Sequence, residues 1–414
     1  MKFNVIDLFA GCGGLTDGFL QTGRFNTLAA VDWELPTVET LKKRLVTKYQ
    51  YNLNTKKVLY FDIQRTDELL AGFSDPVYGT SEGIDFLVGN NEVDFIIGGP
   101  PCQAYSIAGR VRDSNGMHDD YRNYLFESYV KMVQHYKPKA FVFENVEGIL
   151  SAKPGGISIL ERVKKAFDDA GYEITDNLRE DALFDTSFYN VPQKRKRVII
   201  FGVLKNENSS STVSNFYKML KSKASKKPLN SKTAFDNLPK IYPCTISNQS
   251  HSVKLNGVSL PKNHEPRMHS LRDIEIFELL ANDIKTGENK YISSKALIEL
   301  YKEKTGKDSN FHKYHVIRED KPSNTIPAHL YKDGLRHIHP DPEQARSITV
   351  REAARLQSFD DDFEFLGSKG DQYKMIGNAV PPLFAKIIAE TLVELFIFTE
   401  TNLENNKLCQ KSHY

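Results

Sequence analysis

Three short stretches of the chain place reactive side chains directly beside apolar runs. Cys102 lies in GGPPCQAYS, immediately after VDFIIGG. Two prolines restrict the backbone ahead of the thiol, which puts it at the carboxyl edge of a sheet, where a nucleophile meets bound substrate. An arbitrary cysteine is more often buried and inert; the strand-end position and the rigid Pro-Pro approach reverse that expectation. A cysteine protease is the obvious competitor, but the CGSCW-type and QAC-type contexts are missing and no histidine is specifically paired with the thiol. Glu144 and Asn145, in AFVFENVEG, close another apolar run. A carboxyl group half buried there has its pKa raised by desolvation and could share a proton with a ring nitrogen; by itself it could equally cap a helix. Gln193-Lys194-Arg195-Lys196-Arg197 precedes VIIFGVL. Strand alternation would set Arg195 and Arg197 on one face, so that both guanidiniums enter one cleft; a solvated basic loop is the plain alternative.

A fourth stretch, DLFAGCGGLTDGF from Asp7 to Phe19, runs from a strand through Gly11, Gly13 and Gly14 into a helix. Glycine lets the backbone turn tightly and approach a ligand. Asp32 follows Gly11 by 21 residues at the end of the next strand, where a carboxylate can accept hydrogen bonds from ribose hydroxyls. Together they imply a nucleoside cofactor. A hydride-transfer enzyme would more often show G-x-G-x-x-G, but Thr16 stands where the third glycine would fall, and there is no G-x-x-x-x-G-K-[ST]. An adenosine without pyrophosphate, such as S-adenosylmethionine, fits better. Trp33, the single tryptophan, could stack on adenine or be a core aromatic.

A nucleoside cofactor, a strand-end thiol, a carboxyl group and two arginines suit alkylation of a ring carbon that is not itself nucleophilic, such as pyrimidine C5. Thiolate addition at C6 makes C5 enamine-like; C5 then attacks a methyl sulfonium, and loss of the C5 proton expels the enzyme. Cys102 would be the nucleophile, Glu144 would bind and protonate N3 while accepting from the exocyclic amine, Arg197 would hold the O2 edge, and Arg195 would order the loop carrying Cys102.

These residues need a scaffold. At 414 residues the chain is long enough for two or three domains, and 40% hydrophobic with 26% charged residues is ordinary for a globular protein. NVIDLF, TLAAVD, KVLYFD, VDFIIGG, AFVFENV and RVIIFGVL alternate with helix-compatible segments up to about residue 204, which predicts an α/β domain with a mostly parallel sheet. The texture then changes. NENSSSTVSN reads as a loop, and Lys218 to Lys262 holds nine lysines against one acid, Asp236, either a solvated surface or a track for a phosphate backbone. TVREAARLQSF and PPLFAKIIAETLVELF read as later helices, the second returning to the first domain. With a net charge of only +2, any nucleic-acid contact must come from local clustering. Four dispersed cysteines without a C-x-x-C pair argue against a zinc ribbon or disulfide framework and fit a reducing cytoplasm. No membrane span is expected, and His312, His315, His337 and His339 lack a metal-ligand pattern, so no metal is expected.

DLFAGCGGL, Asp32-Trp33, Asp62-Ile63, GGPPCQAYS, ENV, QKRKR, RSITVREAARLQSF and GNAVPP, in that order, resemble a DNA (cytosine-5) methyltransferase of the bacterial restriction-modification kind over nearly the whole chain except about 205 to 310. The resemblance implies a Rossmann-like S-adenosylmethionine-dependent methyltransferase fold with a smaller target-recognition domain. Residues 1–204 and 372–414 would form a discontinuous catalytic and cofactor-binding domain, and 205–371 the smaller one, with target recognition at about 205–320. It places Phe9, Gly11, Gly13, Gly14 and Leu15 around the methionine part of the cofactor, Asp62 at the adenine amine with Ile63 beside the ring, and Asn378 and Val380 at the far side of the pocket. Asp32 stands where the family commonly has glutamate, a shorter reach to the ribose. Gln103, Ser106 and Arg110 would face DNA from a loop closing over it. The expected partner is double-stranded DNA with its target cytosine rotated out, with a cognate restriction endonuclease in the same system, and the expected enzyme is a cytoplasmic bacterial monomer. A transfer-RNA cytosine-5 methyltransferase, a non-catalytic nucleic-acid-binding protein and a nicotinamide-dependent oxidoreductase are the competing readings.

Overall fold

The structure, a computed structural model, describes residues 2–101, 125–153, 156, 158–247, 250–254, 259–309, 314–332 and 334–411. They pack as two units: Met1–Tyr189, Lys196–Lys226 and Ala379–Tyr414 make the first, Asn190–Arg195 and Lys227–Asn378 the second.

The strands of the first unit are β1 (Phe3–Leu8), β2 (Phe25–Asp32), β3 (Val58–Tyr60), the hairpin β4 (Phe73–Asp75) and β5 (Gly79–Ser81), then β6 (Phe95–Gly98), β7 (Ala140–Val146), β8 (Tyr172–Ile174), β9 (Leu183–Asp185) and β10 (Lys196–Leu204). One sheet runs β3-β2-β1-β6-β7-β10-β8, with β9 also on β10. From β3 to β7 all pairs are parallel, and β10 is antiparallel to its neighbours. The six strands read from the sequence are β1, β2, β3, β6, β7 and β10. Their runs are almost continuously apolar because helices cover both faces of a parallel sheet. β1 leads to β2 on one side while β6 lies on its other side, so the strand order reverses there. At such a point the loops beyond the strands diverge and leave a crevice at their carboxyl ends.

The helix Gly14–Leu20, directly after β1, packs on the C-terminal helix Pro382–Lys411. Two glycines make the approach possible. A Cβ on Gly14 would lie 2.2 Å from the Val380 carbonyl oxygen, and one on Gly18 2.5 Å from the Ala385 Cβ.

The domain boundaries differ from those drawn on the sequence. The helix Ser209–Ser222 belongs to the first unit. It buries Val213, Phe216, Tyr217 and Leu220, a helical apolar stripe, with Phe216 stacked at 4.0 Å on Phe201 of β10 and the Tyr217 hydroxyl donating to Ile199 O at 3.0 Å. The polar run NENSSSTVSN covers only the approach to this helix and its first turns. The units therefore change at Lys226/Lys227, not at 204/205, and at Asn378/Ala379, not at 371/372, because the helix Lys369–Asn378 packs within the second unit.

In the second unit, the hairpin β11 (Tyr242–Ser247) and β12 (Ser250–Lys254) precedes the helices Leu271–Thr286 and Ser294–Thr305. Each helix starts at a serine whose hydroxyl accepts a backbone N–H three residues on, and each stops at a left-handed glycine, Gly287 or Gly306. Ile276, Phe277, Leu280, Leu297 and Leu300 join Tyr314 in the core between them. In the expected helix Val350–Leu356, Thr349 and Glu352 form a reciprocal capping box, and Glu352 also takes two bonds from Arg346 at 2.6 and 2.7 Å. Among the described residues no helix is long and apolar enough to cross a membrane.

Candidate active site

Beyond β1 the backbone turns through left-handed conformations at Phe9 (φ 59°), Gly11 (φ 55°) and Gly13 (φ 93°). A Cβ on Gly13 would strike Leu41 at 2.4 Å, whereas one on Gly11 would meet nothing within 4 Å, so Gly11 faces open space. Gly14 and Leu15 open the following helix and are buried. Thr16, the residue that breaks the dinucleotide pattern, has a positive task. Its hydroxyl donates to Asp7 at 2.5 Å across the turn. Asp7 is wholly buried, its Oδ1 meets no donor among the described residues, and burial pushes its pKa up to about 7. This latch was not read from the sequence; the signal was Thr16, nine residues after Asp7.

Asp32 closes the same turn. Its Oδ2 accepts from Gly11 N at 2.9 Å, and its Oδ1 accepts from Glu34 N at 2.9 Å and from the Thr37 hydroxyl at 3.0 Å. Burial raises its pKa and these bonds oppose the rise. The sequence assigned Asp32 to ribose alone; the structure also makes it the clasp between the glycine turn and the helix Leu35–Tyr49. Trp33 is 40% exposed, which excludes the core-aromatic alternative. Asp62 lies on the neighbouring strand end, where its Oδ1 accepts from Gln64 N at 3.0 Å, and Ile63 beside it is buried. Val380, whose carbonyl touches Gly14, is in the first unit; Asn378, exposed at the end of its helix, is in the second.

At the end of β6 the chain passes through Gly98, Gly99, Pro100 and Pro101. A Cβ on Gly99 would lie 2.6 Å from Glu144 Oε2, so the glycine leaves room for the carboxylate that β7 delivers. The Asn145 amide donates to Pro100 O at 3.4 Å, tying the two strand ends together. Glu144 Oε1 is 2.7 Å from Arg197 Nε, and both side chains are about nine-tenths buried. Burial draws the Arg197 guanidinium below its ordinary value and Glu144 opposes that. The sequence reading considered burial of Glu144 alone; the structure adds a cation across the β7–β10 pair.

Arg195 does not share this arrangement. Strand β10 begins at Lys196, so the alternation that would align Arg195 with Arg197 does not reach it. Arg195 is buried in the second unit and donates to Ile326 O at 3.3 Å and Gly377 O at 2.8 Å. Gln193 is likewise buried there, bridging Leu356 O, Gln357 and Ile326 N. Cys102, Gln103, Ser106 and Arg110 lie outside the described residues, as does His312. Burial holds His337 and His339 down to about 3.

Among the described residues of the lysine-rich stretch, Lys221 pairs with Asp181, Lys223 with Glu394, Lys240 with Asp341 and Lys262 with Glu364. That part of the local charge is neutralised within the protein.

A family model for the C-5 cytosine-specific DNA methylase matches residues 3–394. The chain is 35% identical to the type II methyltransferase M.Bpa9945I of Bacillus paralicheniformis, over 94% of this chain and 98% of the relative. It is 30% identical to the type II methyltransferase M.DdeI of Desulfomicrobium norvegicum, over 99% and 94%. In fold it is similar to the S. pombe Dnmt2 methyltransferase, with a TM-score of 0.52, 15% identity and coverage of 96% and 99%. The parallel sheet has its switch point between β1 and β6, and the glycine turn and Glu144 beside the Gly-Gly-Pro-Pro strand end lie at the carboxyl ends of its strands. The chain belongs to the C-5 cytosine-specific DNA methylase family and is a DNA (cytosine-5) methyltransferase.

Proposed function

We propose that the enzyme methylates C5 of a cytosine rotated out of duplex DNA, with Cys102 as the nucleophile that adds to C6. The observation that carries this reading is the Glu144–Arg197 pair, held at 2.7 Å against the Gly98-Gly99-Pro100-Pro101 strand end from which Cys102 follows. A carboxyl group there can hold N3 and the exocyclic amine of cytosine, and the guanidinium fixes its orientation while presenting donors to the O2 edge. Arg195 acts at one remove, holding the backbone at Ile326 and Gly377. Rotating the base out costs a few kcal/mol of stacking, which contacts to the DNA backbone must offset.

The residues beyond β1, β2 and β3 fit S-adenosylmethionine. Gly11 faces open space, Asp32 retains acceptor capacity on Oδ2, and Thr16 occupies with its Asp7 bond the place where a dinucleotide site needs glycine. Phe9, Gly11, Gly13, Gly14 and Leu15 would hold the methionine part and Asp32, Trp33, Asp62 and Ile63 the nucleoside, with Asn378 and Val380 completing the pocket. S-adenosylmethionine supplies the electrophilic methyl group that C5 accepts. Gln103, Ser106 and Arg110 would meet the DNA, and the second unit would select the target sequence. The relatives being type II methyltransferases, the biological role proposed is protection of host DNA in the cytoplasm of a bacterium beside a cognate restriction endonuclease, by a monomer that uses no metal.

Two measurements test the chemistry. Duplex DNA carrying 5-fluorocytosine at a methylated site, incubated with the enzyme and S-adenosylmethionine, should yield a denaturation-resistant protein–DNA adduct that Cys102→Ala cannot form. Cys102→Ala should lose methylation while keeping DNA binding, because only the covalent step is removed. Methyl transfer to transfer RNA but never to duplex DNA would overturn the substrate assignment.

A further inference from the structure

The hairpin β4–β5 and its flanking helices fill the stretch between the Asp62-Ile63 corner and β6, and nothing in the reaction described so far uses them. They are nonetheless built onto that corner. Phe73 of β4 stacks on Phe61 at 3.9 Å, and the Arg65 guanidinium sits 4.8 Å over the other partner of that stack, Phe61, while pairing with Asp75 at 2.7 Å. Asp75 Oδ1 in turn accepts from Val77 N at 2.8 Å and Tyr78 N at 3.1 Å, fixing the turn between the two strands.

Tyr78 is what that turn delivers. Its ring meets Tyr60 edge-on at 4.9 Å and Phe61 at 5.1 Å. Tyr60 is the register partner of Asp32 across β2–β3, and Phe61 N donates to Asp32 O at 3.0 Å. Trp33 thus follows the end of β2 and Tyr60 ends β3, with Asp62 two residues on, and Tyr78 reaches Tyr60 and Phe61 from the turn of the separate β4–β5 hairpin. Tyr78 is only half-buried, and burial together with the nearby Asp62 carboxylate raises its phenol pKa. An aromatic side chain braced from behind, partly open, and beside the acid assigned to an adenine amine has the properties of a ring-binding wall.

We propose that the β4–β5 hairpin is part of the cofactor site, with Tyr78 forming an aromatic wall of the adenosine subsite beside Asp62. This rests on the reading that the glycine turn, Asp32 and Asp62 hold S-adenosylmethionine. Tyr78 serves binding and takes no part in the chemistry at C5.

Calorimetric titration of the full chain with S-adenosylhomocysteine and with adenosine tests it. Tyr78→Ala should raise both dissociation constants by the same factor, about tenfold, because the wall meets only the nucleoside. Tyr78→Phe, which keeps the ring, should stay within about twofold of the wild type. In DNA methylation the donor KM should rise with Tyr78→Ala while kcat at saturating donor and the KM for DNA hold. Unchanged constants in Tyr78→Ala, or an equal loss in Tyr78→Phe, would overturn the aromatic wall. A thermal melt without ligand guards against misfolding: if Tyr78→Ala unfolds, Tyr78→Leu, which retains apolar packing on Tyr60 and Phe61, must show the same tenfold loss. Failure of the wild-type chain to bind S-adenosylhomocysteine at all would instead sink the cofactor assignment on which the proposal stands.

Discussion

At the scale of single residues, the site is set by what glycine leaves out as much as by what the reactive groups provide. Gly99 has no side chain, and the volume a methyl group would occupy there is taken by Glu144 Oε2 at 2.6 Å. Gly99→Ala should therefore push the carboxylate off Arg197, lowering kcat at least about tenfold with a small change in melting temperature. An active Gly99→Ala enzyme would mean that Glu144 need not sit where it does. Asp7 gives a second expectation, this time in pH. Its pKa is raised by burial from 3.8 to about 7 in the fold. Between those values the folded chain binds a proton that the unfolded chain releases. The contribution is thus fully present below about pH 4 and lost as pH rises through 7, amounting to a few kcal/mol across the window. Urea unfolding at a series of pH values should show this fall, and Asp7→Asn should remove that part of the slope, leaving the shallower contributions of other groups.

At the scale of elements, the long apolar strands were legible in the sequence because a strand covered on both faces is apolar throughout, so β1, β2, β6, β7 and β10 announce themselves. β8 and β9, at three residues each, are too short to show any period and exist only because β10 offers them an edge. The misplaced boundary at 204/205 had a different cause: polar composition at the start of Ser209–Ser222 outweighed the stripe of Val213, Phe216, Tyr217 and Leu220. Of the site, Glu144 with Arg197 and the glycine turn were legible from motif and spacing. The Asp7–Thr16 latch, the Asp32 clasp and the diversion of Arg195 were not, since each depends on where a hydrogen bond is completed by residues distant in sequence or on where a strand begins. The contact between Gly14–Leu20 and the C-terminal helix belongs at this scale. A Cβ on Gly18 would lie 2.5 Å from Pro382 O and 2.7 Å from Lys386 N, both backbone atoms that cannot swing aside. Gly18→Ala should cost about 1–3 kcal/mol, read as a fall in the urea midpoint, and should weaken cofactor binding through Gly14 in the same helix. A variant as stable as the wild type would show that the C-terminal helix can shift without loss.

At the scale of the whole molecule, a chain with net charge +2 has to bind a polyanion through a few unneutralised cations. The lysine-rich stretch is divided between the two units: Lys218, Lys221, Lys223 and Lys226 belong to the first, and the lysines from Lys227 to Lys262 to the second. Lys221, Lys223, Lys240 and Lys262 already face carboxylates, so removing them releases little from DNA. Lys226 and Lys232 are exposed, and neither meets a carboxylate among the described residues. If they reach phosphates, Lys226→Ala and Lys232→Ala should each make the dependence of log K on log salt shallower by about 0.9, weakening cognate and non-cognate duplexes alike, whereas Lys240→Ala should leave the slope unchanged. Because Lys226 and Lys232 sit in different units, the pair also asks whether one duplex is gripped by both. A slope lowered by each substitution, and by twice as much in the double variant, means that both units contact the same DNA backbone; a slope lowered only by Lys232→Ala assigns the electrostatic grip to the second unit and leaves Ser209–Ser222 as part of the scaffold.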